Sequence, residues 1–201
     1  MNQLLKGISF IFHPILMPML GVVFYFSKSP RFIPIEIIRA KLISLLILTI
    51  VLPILLYYLL KSIGKVKSIY LNSTQERILP LFLNGCIAVL ILNRVLPATE
   101  IIELYYFFVG ILISTMACLI LAILKFKASI HMIGISGVTM FYIALSIHFS
   151  ININGTLALM FILIGAIATS RLHLKAHTNI ELLIGFFIGL LPQLILVNYW
   201  L

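Results

Sequence analysis

The stretch "SRLHLKAHTNIE", from Ser170 to Glu181, gathers five ionisable side chains between two apolar segments. Within it His177 and Glu181 are four residues apart, so on a helix they lie on one face and within hydrogen-bonding distance. The carboxylate would fix the tautomer of the imidazole and leave its second nitrogen available as a nucleophile or a base. The alternative is an ion-paired loop at a membrane interface, but a glutamate one turn inside an apolar helix is costly without a partner. The spacing therefore favours a histidine that is oriented for chemistry.

A second group of polar residues lies in "KFKASIHMIGISG", where Ser129 and His131 stand at the start of the fifth apolar segment. The first N–H groups of a helix and its dipole favour an anion, so these side chains would flank an anion site. Taken alone, the stretch favours the simpler interpretation of an interfacial histidine that caps a helix beside flanking lysines. In the last segment Gly185 and Gly189 form a G-x-x-x-G pair, which lets a neighbouring helix approach closely.

A third stretch, "NSTQERILPLF", places Arg77 just before the third apolar segment, with Pro80 expected in the first turn of its helix. Proline is tolerated there because the first N–H groups of a helix have no partner within it. An arginine that flanks a membrane helix is common, so this stretch indicates little by itself.

In this order along the chain, the three stretches resemble the type 2 phosphatidic acid phosphatase family, membrane lipid phosphatases related to acid phosphatases and vanadium haloperoxidases. The family signature is K-x6-R-P, then P-S-G-H, then S-R-x5-H-x3-D. The third motif is complete here except for Glu181, which replaces its aspartate. The second is retained as "ASIH" and the first only in Arg77, because its proline position is Ile78 and its lysine position is Tyr70. The resemblance covers roughly residues 67–189, the expected phosphatase-like core.

The resemblance implies a role for each matching residue. His177 would attack phosphorus and form a phosphohistidine, Glu181 would orient it, and His131 would protonate the leaving group and later activate water. The phosphate would be bound by Arg77, Arg171 and Ser129, with Lys67 or Lys127 in place of the missing lysine. The implied enzyme hydrolyses a lipid phosphate or diphosphate without a metal or another cofactor.

Two other functions remain open from the sequence. One is a degenerate member of the same fold that binds a phospholipid or serves as a subunit of a membrane complex, which the altered first and second motifs suggest. The other is a small transporter or channel, since ionisable residues inside a membrane often mark a pathway. It ranks last because the ionisable groups gather at one face instead of spreading through the membrane.

The composition predicts the fold class. The chain is 63% hydrophobic and 9% charged, with a mean hydropathy of +1.23, whereas soluble domains are about half apolar and about a quarter charged. Apolar runs of about 20 residues are long enough to cross a bilayer as helices. We therefore expect an all-α, polytopic transmembrane bundle of six to seven segments that forms a single integral membrane domain over residues 1–201, in a bacterial inner membrane. The segments are expected near 8–27, 42–60, 78–95, 101–124, 131–149, 155–170 and 178–200.

Alternation of these segments defines two sides. Side A comprises the N-terminus and the loops 61–77, 125–130 and 170–178, and side B comprises the connection 28–41 and the C-terminus. Most loop cations fall on side A, which the positive-inside rule would make cytoplasmic. Cations that bind a substrate carry no such information, so the side that faces the cytoplasm stays open. The net charge of +9 is spread over segment ends, which favours anionic membrane lipids over nucleic acid as partners.

Two further polar residues lie inside apolar segments. His13, next to a proline in the first segment, is expected to be packed or interfacial and not catalytic. Asn84, inside the third segment, is expected to form a hydrogen bond to another helix.

Overall fold

The computed structural model describes residues 2–68, 71 and 73–201, without the side chains of residues 2–4 and 6. The described residues form helices and no β-strand, and seven of these helices are long and apolar enough to cross a membrane. The expected all-α polytopic bundle is therefore confirmed, at the upper number of segments. The seven spans are Gly7–Lys28, Ile35–Ser62, Thr74–Val95, Ile102–Ile123, Ile130–His148, Asn154–His173 and Asn179–Tyr199.

Several spans consist of more than one helical piece. The α-helices are α1 (Asn2–Ile11), α2 (Met17–Lys28), α3 (Ile35–Leu46), α4 (Leu52–Ser62), α5 (Thr74–Leu90), α6 (Ile102–Ile123), α7 (Ile130–His148), α8 (Asn154–His173) and α9 (Asn179–Leu196). A π-helical turn, Ile47–Val51, joins α3 to α4, a second one, Ile91–Val95, ends the third span, and a 3-10 turn, Val197–Tyr199, follows α9.

The first span is interrupted near side A, between α1 and α2. A 3-10 turn over Pro14–Leu16 separates the two helices, because Pro14 has no N–H to continue the backbone ladder. His13 caps this turn, since its Nδ1 accepts the N–H of Ile15 at 3.3 Å. The break lets α1 leave the axis of α2 and pack on α8.

Helix α7 is the centre of the bundle and packs against α2, α8 and α9. Its closest neighbour is α9, because two glycines of α9 face the α7 backbone. A side chain at Gly185 would meet the backbone of Ser129, and one at Gly189 would meet the carbonyl of Ile133. The expected close approach at the G-x-x-x-G pair is thus confirmed, and it fixes the beginning of α9 against the beginning of α7.

Three span boundaries differ from the expectation by three residues or more, whereas the others agree to within two. The second span begins at Ile35 instead of 42 and the third at Thr74 instead of 78, while the sixth extends through His173 instead of ending at 170. At Thr74 the cause is a cap, since the Ser73 side chain accepts the N–H of Glu76. Hydropathy does not register such polar first and last turns.

These boundaries move two motif stretches from loops into helices. Arg77 lies in the first turn of α5 instead of before it, and Pro80 lies in the second turn. Ser170 and Arg171 belong to the last turns of α8, not to a loop. The loop beyond them is therefore short, residues 174–178.

On side B a buried carboxylate joins four parts of the chain. Glu103 is fully buried and receives hydrogen bonds from Tyr25 at 3.1 Å and from His148 at 3.2 Å. Arg31 completes the group with an ion pair of 2.7 Å. A buried charge that is paired and hydrogen-bonded in this way fixes the relative positions of its helices.

Candidate functional site

Most of the sequence-derived site residues lie at the side A ends of four helices. Arg77 is in the first turn of α5, Ser129 is the N-cap of α7, Arg171 is in the last turns of α8 and Glu181 is in the first turn of α9. His177 lies between the last two, in the loop 174–178. The loops 124–129 and 174–178 lie against each other, since Lys127 donates to the carbonyl of Ala176 at 3.2 Å.

His177 and Glu181 form the expected hydrogen-bonded pair. The Nδ1 of His177 donates to Oε2 of Glu181 at 2.9 Å, and the His177 side chain is 1% exposed. The same carboxylate oxygen accepts the N–H of Thr178 at 3.1 Å, and the Thr178 hydroxyl accepts the N–H of Glu181, which makes a capping box at the start of α9. The carboxylate is thereby fixed by its own helix end, and it holds the imidazole with the proton on Nδ1 and a lone pair on Nε2.

Arg77 is a buried cation that is held by backbone carbonyls. It is 4% exposed, and it donates from Nε to Leu71 at 3.0 Å and from a terminal nitrogen to Ala128 at 2.9 Å. These bonds use two of the five N–H groups of a guanidinium. Arg77 therefore fixes the chain just before α7 and retains donors and a full charge for an anion.

Ser129 carries a fully buried hydroxyl, and its Oγ has no hydrogen-bond partner among the described residues. Its backbone N–H donates to the carbonyl of Glu181 at 3.1 Å, so the starts of α7 and α9 are tied together. A buried hydroxyl without a partner is costly. At the N-terminus of α7 it lies where the helix dipole favours an anion that could accept its hydrogen bond.

Arg171 lies at the C-terminal end of α8, where the helix turns sharply back. The N–H of Ala176 donates to the carbonyl of Arg171 and that of Lys175 to Leu172, with Lys175 in the left-handed conformation at φ 51°. This C-terminal motif normally uses glycine at the left-handed position. It brings the 174–178 loop back beside Arg171, which is 8% exposed.

An open cleft of about 370 Å³ borders the pair. It is large enough for a phosphate group and opens beside the nucleophile candidate. Its walls are the side chains of the two loops and the first turn of α9, namely Lys127, Leu172, Lys175, Ala176, His177, Thr178 and Glu181.

The electrostatic environment keeps the imidazole neutral. Burial lowers the pKa of His177 below its ordinary value, and the positive charges of Arg77 and Arg171 lower it further, against the opposing effect of Glu181. Burial, followed by the charge of Arg77, also lowers the pKa of Lys127. A neutral imidazole surrounded by cations is the state required for attack on an anionic phosphorus centre.

His131 is directed to the N-terminal helix. Its Nε2 donates to the carbonyl of Ser9 at 3.2 Å, and its ring lies edge-on to His13, with 5.6 Å between the centroids. Arg171 is close enough for its positive charge to act on His131. His131 therefore lies at the edge of the site, with one nitrogen engaged by α1.

The sequence did not indicate this contribution of α1. Ser9 donates to the hydroxyl of Ser170 at 2.7 Å, and Ser170 in turn donates to the carbonyl of Leu5 at 2.7 Å. His13, which we expected to be packed or interfacial, lies beside His131. The one available signal was the His13–Pro14 pair, which predicts a break in the first span and hence a separate N-terminal piece.

The two lysine candidates differ in position. Lys67 is exposed and forms no hydrogen bond or ion pair with a residue that the structure describes. Lys127 lines the cleft beside His177. The lysine position of the first motif, Tyr70, lies outside the described residues. Of the two candidates, Lys127 is the one with access to the cleft.

Comparisons of this chain with protein-family models, with curated proteins and with solved structures gave no match.

Proposed function

We propose that this integral membrane protein hydrolyses a lipid phosphate or diphosphate through a phosphohistidine intermediate. The observation that carries the proposal is the His177–Glu181 pair beside Arg77, Arg171 and the buried hydroxyl of Ser129. Phosphoryl transfer depends mainly on positioning the phosphate and neutralising its charge. A histidine with a fixed tautomer at a membrane face, beside cations and hydrogen-bond donors that can bind an anion, meets these requirements. Candidate substrates are phosphatidic acid, phosphatidylglycerophosphate, undecaprenyl diphosphate and lipid A phosphates.

The proposed reaction has two steps. Nε2 of His177 attacks phosphorus, the bond from phosphorus to the leaving oxygen breaks, and His131, in its protonated form, donates a proton to that oxygen and becomes neutral. Water then attacks the phosphohistidine, gives a proton to His131 and releases inorganic phosphate together with the restored imidazole. For these transfers the ring of His131 must release the carbonyl of Ser9 and turn towards the cleft.

The test is phosphate release by the purified protein in lipid–detergent micelles. We expect His177→Ala to lower the rate on the order of 10³-fold or more, vanadate to inhibit, and a chelator of divalent cations to have no effect. His173→Ala is the matched control, because His173 is exposed in the same stretch and occupies a variable position of the motif. An acid-labile phosphoprotein should form in the wild type and not in His177→Ala.

Two results would refute this proposal. One is full activity of His177→Ala, which would show that His177 is not the nucleophile. The other is activity that depends on an added divalent cation, which would replace the histidine route with a metal-assisted one.

A second candidate function is favoured by the bond from His131 to the carbonyl of Ser9. If that bond persists when a phosphate is bound, the general acid is missing and the chain is a binding protein for phosphorylated lipids. Tight retention of phosphatidic acid without turnover by the wild type, and without a phosphohistidine, would support this function.

A further inference from the structure

Asn84 is a polar side chain in the middle of the third span, and it does not form the interhelical hydrogen bond that the sequence led us to expect. The side chain is exposed, and none of the described residues forms a hydrogen bond with it. Its depth, ten residues into a span of 22, places it in the hydrocarbon region. A primary amide there is costly without a partner, because no water replaces the missing hydrogen bonds.

The face of α5 on which Asn84 lies is the packed face of the helix. Seven residues make nearly two full turns, so Asn84 follows Arg77 on the same face, and Ala88 and Ile91 continue it. Arg77, Ala88 and Ile91 are 4%, 4% and 1% exposed, respectively. The lipid-facing side is elsewhere, with Phe82 at 53% exposed. Asn84 is therefore accessible from the membrane, although its neighbours on this face are buried.

Asn84 lies beneath the candidate phosphate site, on the helix face that carries Arg77. Seven residues at 1.5 Å each put Asn84 about 10 Å deeper than Arg77 along the same helix face. A lipid whose phosphate reaches Arg77 would place the part that follows its head group at this level. In an acyl lipid that part carries ester or amide carbonyls, which accept hydrogen bonds, whereas a polyprenyl phosphate offers only hydrocarbon.

We propose that Asn84 donates a hydrogen bond to an acyl carbonyl of the substrate, and that the site thereby prefers acyl lipid phosphates to polyprenyl phosphates. The inference rests on the proposed function for the position of the phosphate. An acyl carbonyl at this depth would accept the hydrogen bond that the Asn84 amide does not form with any described residue. A second copy of the chain is a poorer partner, because a neighbouring helix would dock on the outward face and not on the face that carries Arg77.

The experiment compares Asn84→Leu with the wild type on two substrates, phosphatidic acid and undecaprenyl phosphate. Leucine keeps the size of the side chain and removes its donors. We expect kcat/KM for phosphatidic acid to fall about tenfold, the order that one lost hydrogen bond gives, with little change for undecaprenyl phosphate. Asn84→Gln keeps the amide and should retain part of the preference.

Asn93→Leu is the matched control, because Asn93 is an exposed asparagine of the same span whose amide already donates to the carbonyl of Val89 at 2.8 Å. Asn93→Leu should change kcat/KM for neither substrate. Retention of phosphatidic acid, measured by native mass spectrometry, gives a second readout that needs no turnover. If the wild type hydrolyses no lipid phosphate, the proposed function fails, but weaker retention by Asn84→Leu and not by Asn93→Leu still upholds the role of Asn84.

Three outcomes would overturn the role of Asn84. The first is an equal loss on both lipids, and the second is unchanged retention and hydrolysis of phosphatidic acid by Asn84→Leu. The third is conversion of a dimer to a monomer by Asn84→Leu, which would assign the amide to a contact between copies.

Discussion

Gly185→Ala tests whether the contact between α7 and α9 holds the site together. The new Cβ would lie 2.7 Å from the carbonyl oxygen of Ser129 and 3.1 Å from its nitrogen, whereas ordinary contact begins at 3.4 Å. The two backbones must therefore separate by the difference between 3.4 and 2.7 Å, about 0.7 Å. Backbone atoms cannot turn aside as a side chain would. This separation would lengthen the hydrogen bond from the Ser129 N–H to the carbonyl of Glu181.

The expected effects follow from this separation. Overpacking costs about 1–3 kcal/mol, while alanine regains about 0.5–1 kcal/mol of helix propensity, so we expect a net loss of about 1–2 kcal/mol. For a chain of this size that corresponds to a fall in Tm of roughly 2–8 °C. A misplacement close to 1 Å in a catalytic site reduces rates up to about 100-fold, and we expect a roughly 10- to 100-fold lower kcat/KM for phosphate release.

The assay is thermal unfolding in detergent together with kcat/KM for phosphate release, and Gly165→Ala is the matched control. Gly165 lies in α8, and a methyl group added there would have no atom within 4 Å. The same substitution at this position should therefore raise stability by about 0.5–1 kcal/mol. Equal Tm values and equal kcat/KM values for Gly185→Ala and Gly165→Ala would refute the reasoning.

Two further predictions concern the loop 174–178. Lys175→Gly should raise the free energy of unfolding by about 0.5–1 kcal/mol, because glycine adopts the left-handed conformation at φ 51° without steric cost; no change in Tm would contradict this. His177 should make stability depend on pH, because burial and two neighbouring arginines lower its pKa in the native state. The unfolded chain then binds more protons, so the contribution is complete above the ordinary pKa of 6.5 and is lost as the pH falls towards the native pKa. Thermal scans between about pH 7.5 and 4.5 should show a shallower dependence for His177→Asn, and identical slopes would contradict the assignment.

The fold was predictable from the sequence because hydropathy and length decide which segments can cross a bilayer. Most span ends were predicted to within one residue, but those that begin or end in a polar turn were not, since they depend on local hydrogen bonds. The cap at Ser73 and the last turn through His173 are polar and contribute nothing to an apolar run. The break after α1 depends on Pro14, whose effect on direction requires the surrounding packing.

Within the candidate site, local relationships were predictable and distant ones were not. The bond between His177 and Glu181 follows from a spacing of four on a helix. The contact from His131 to Ser9 joins residues 122 positions apart, and no sequence pattern predicts a contact over that separation. Asn84 shows the converse, since its type suggested a bond between helices and the packing at that depth leaves it exposed.

The charge balance at side A leads to a last prediction, that an anion should stabilise the folded protein. Arg77 and Lys127 are held by neutral backbone carbonyls, while Glu181 is engaged with His177 and Thr178. A cation that is buried without a carboxylate, as Arg77 is, loses hydration and gains little in return, so a bound phosphate recovers part of that cost.

Inorganic phosphate at about 100 times its dissociation constant should raise the free energy of unfolding by about 2.7 kcal/mol, measured as a rise in Tm at constant ionic strength. Arg77→Gln should abolish the rise. Arg31→Gln, which alters a cation on side B, should leave it intact even though it lowers the starting Tm. A rise that survives Arg77→Gln would place the anion elsewhere and remove the electrostatic basis of the site, because the guanidinium on α5 and the start of α7 would then not act on the same ligand.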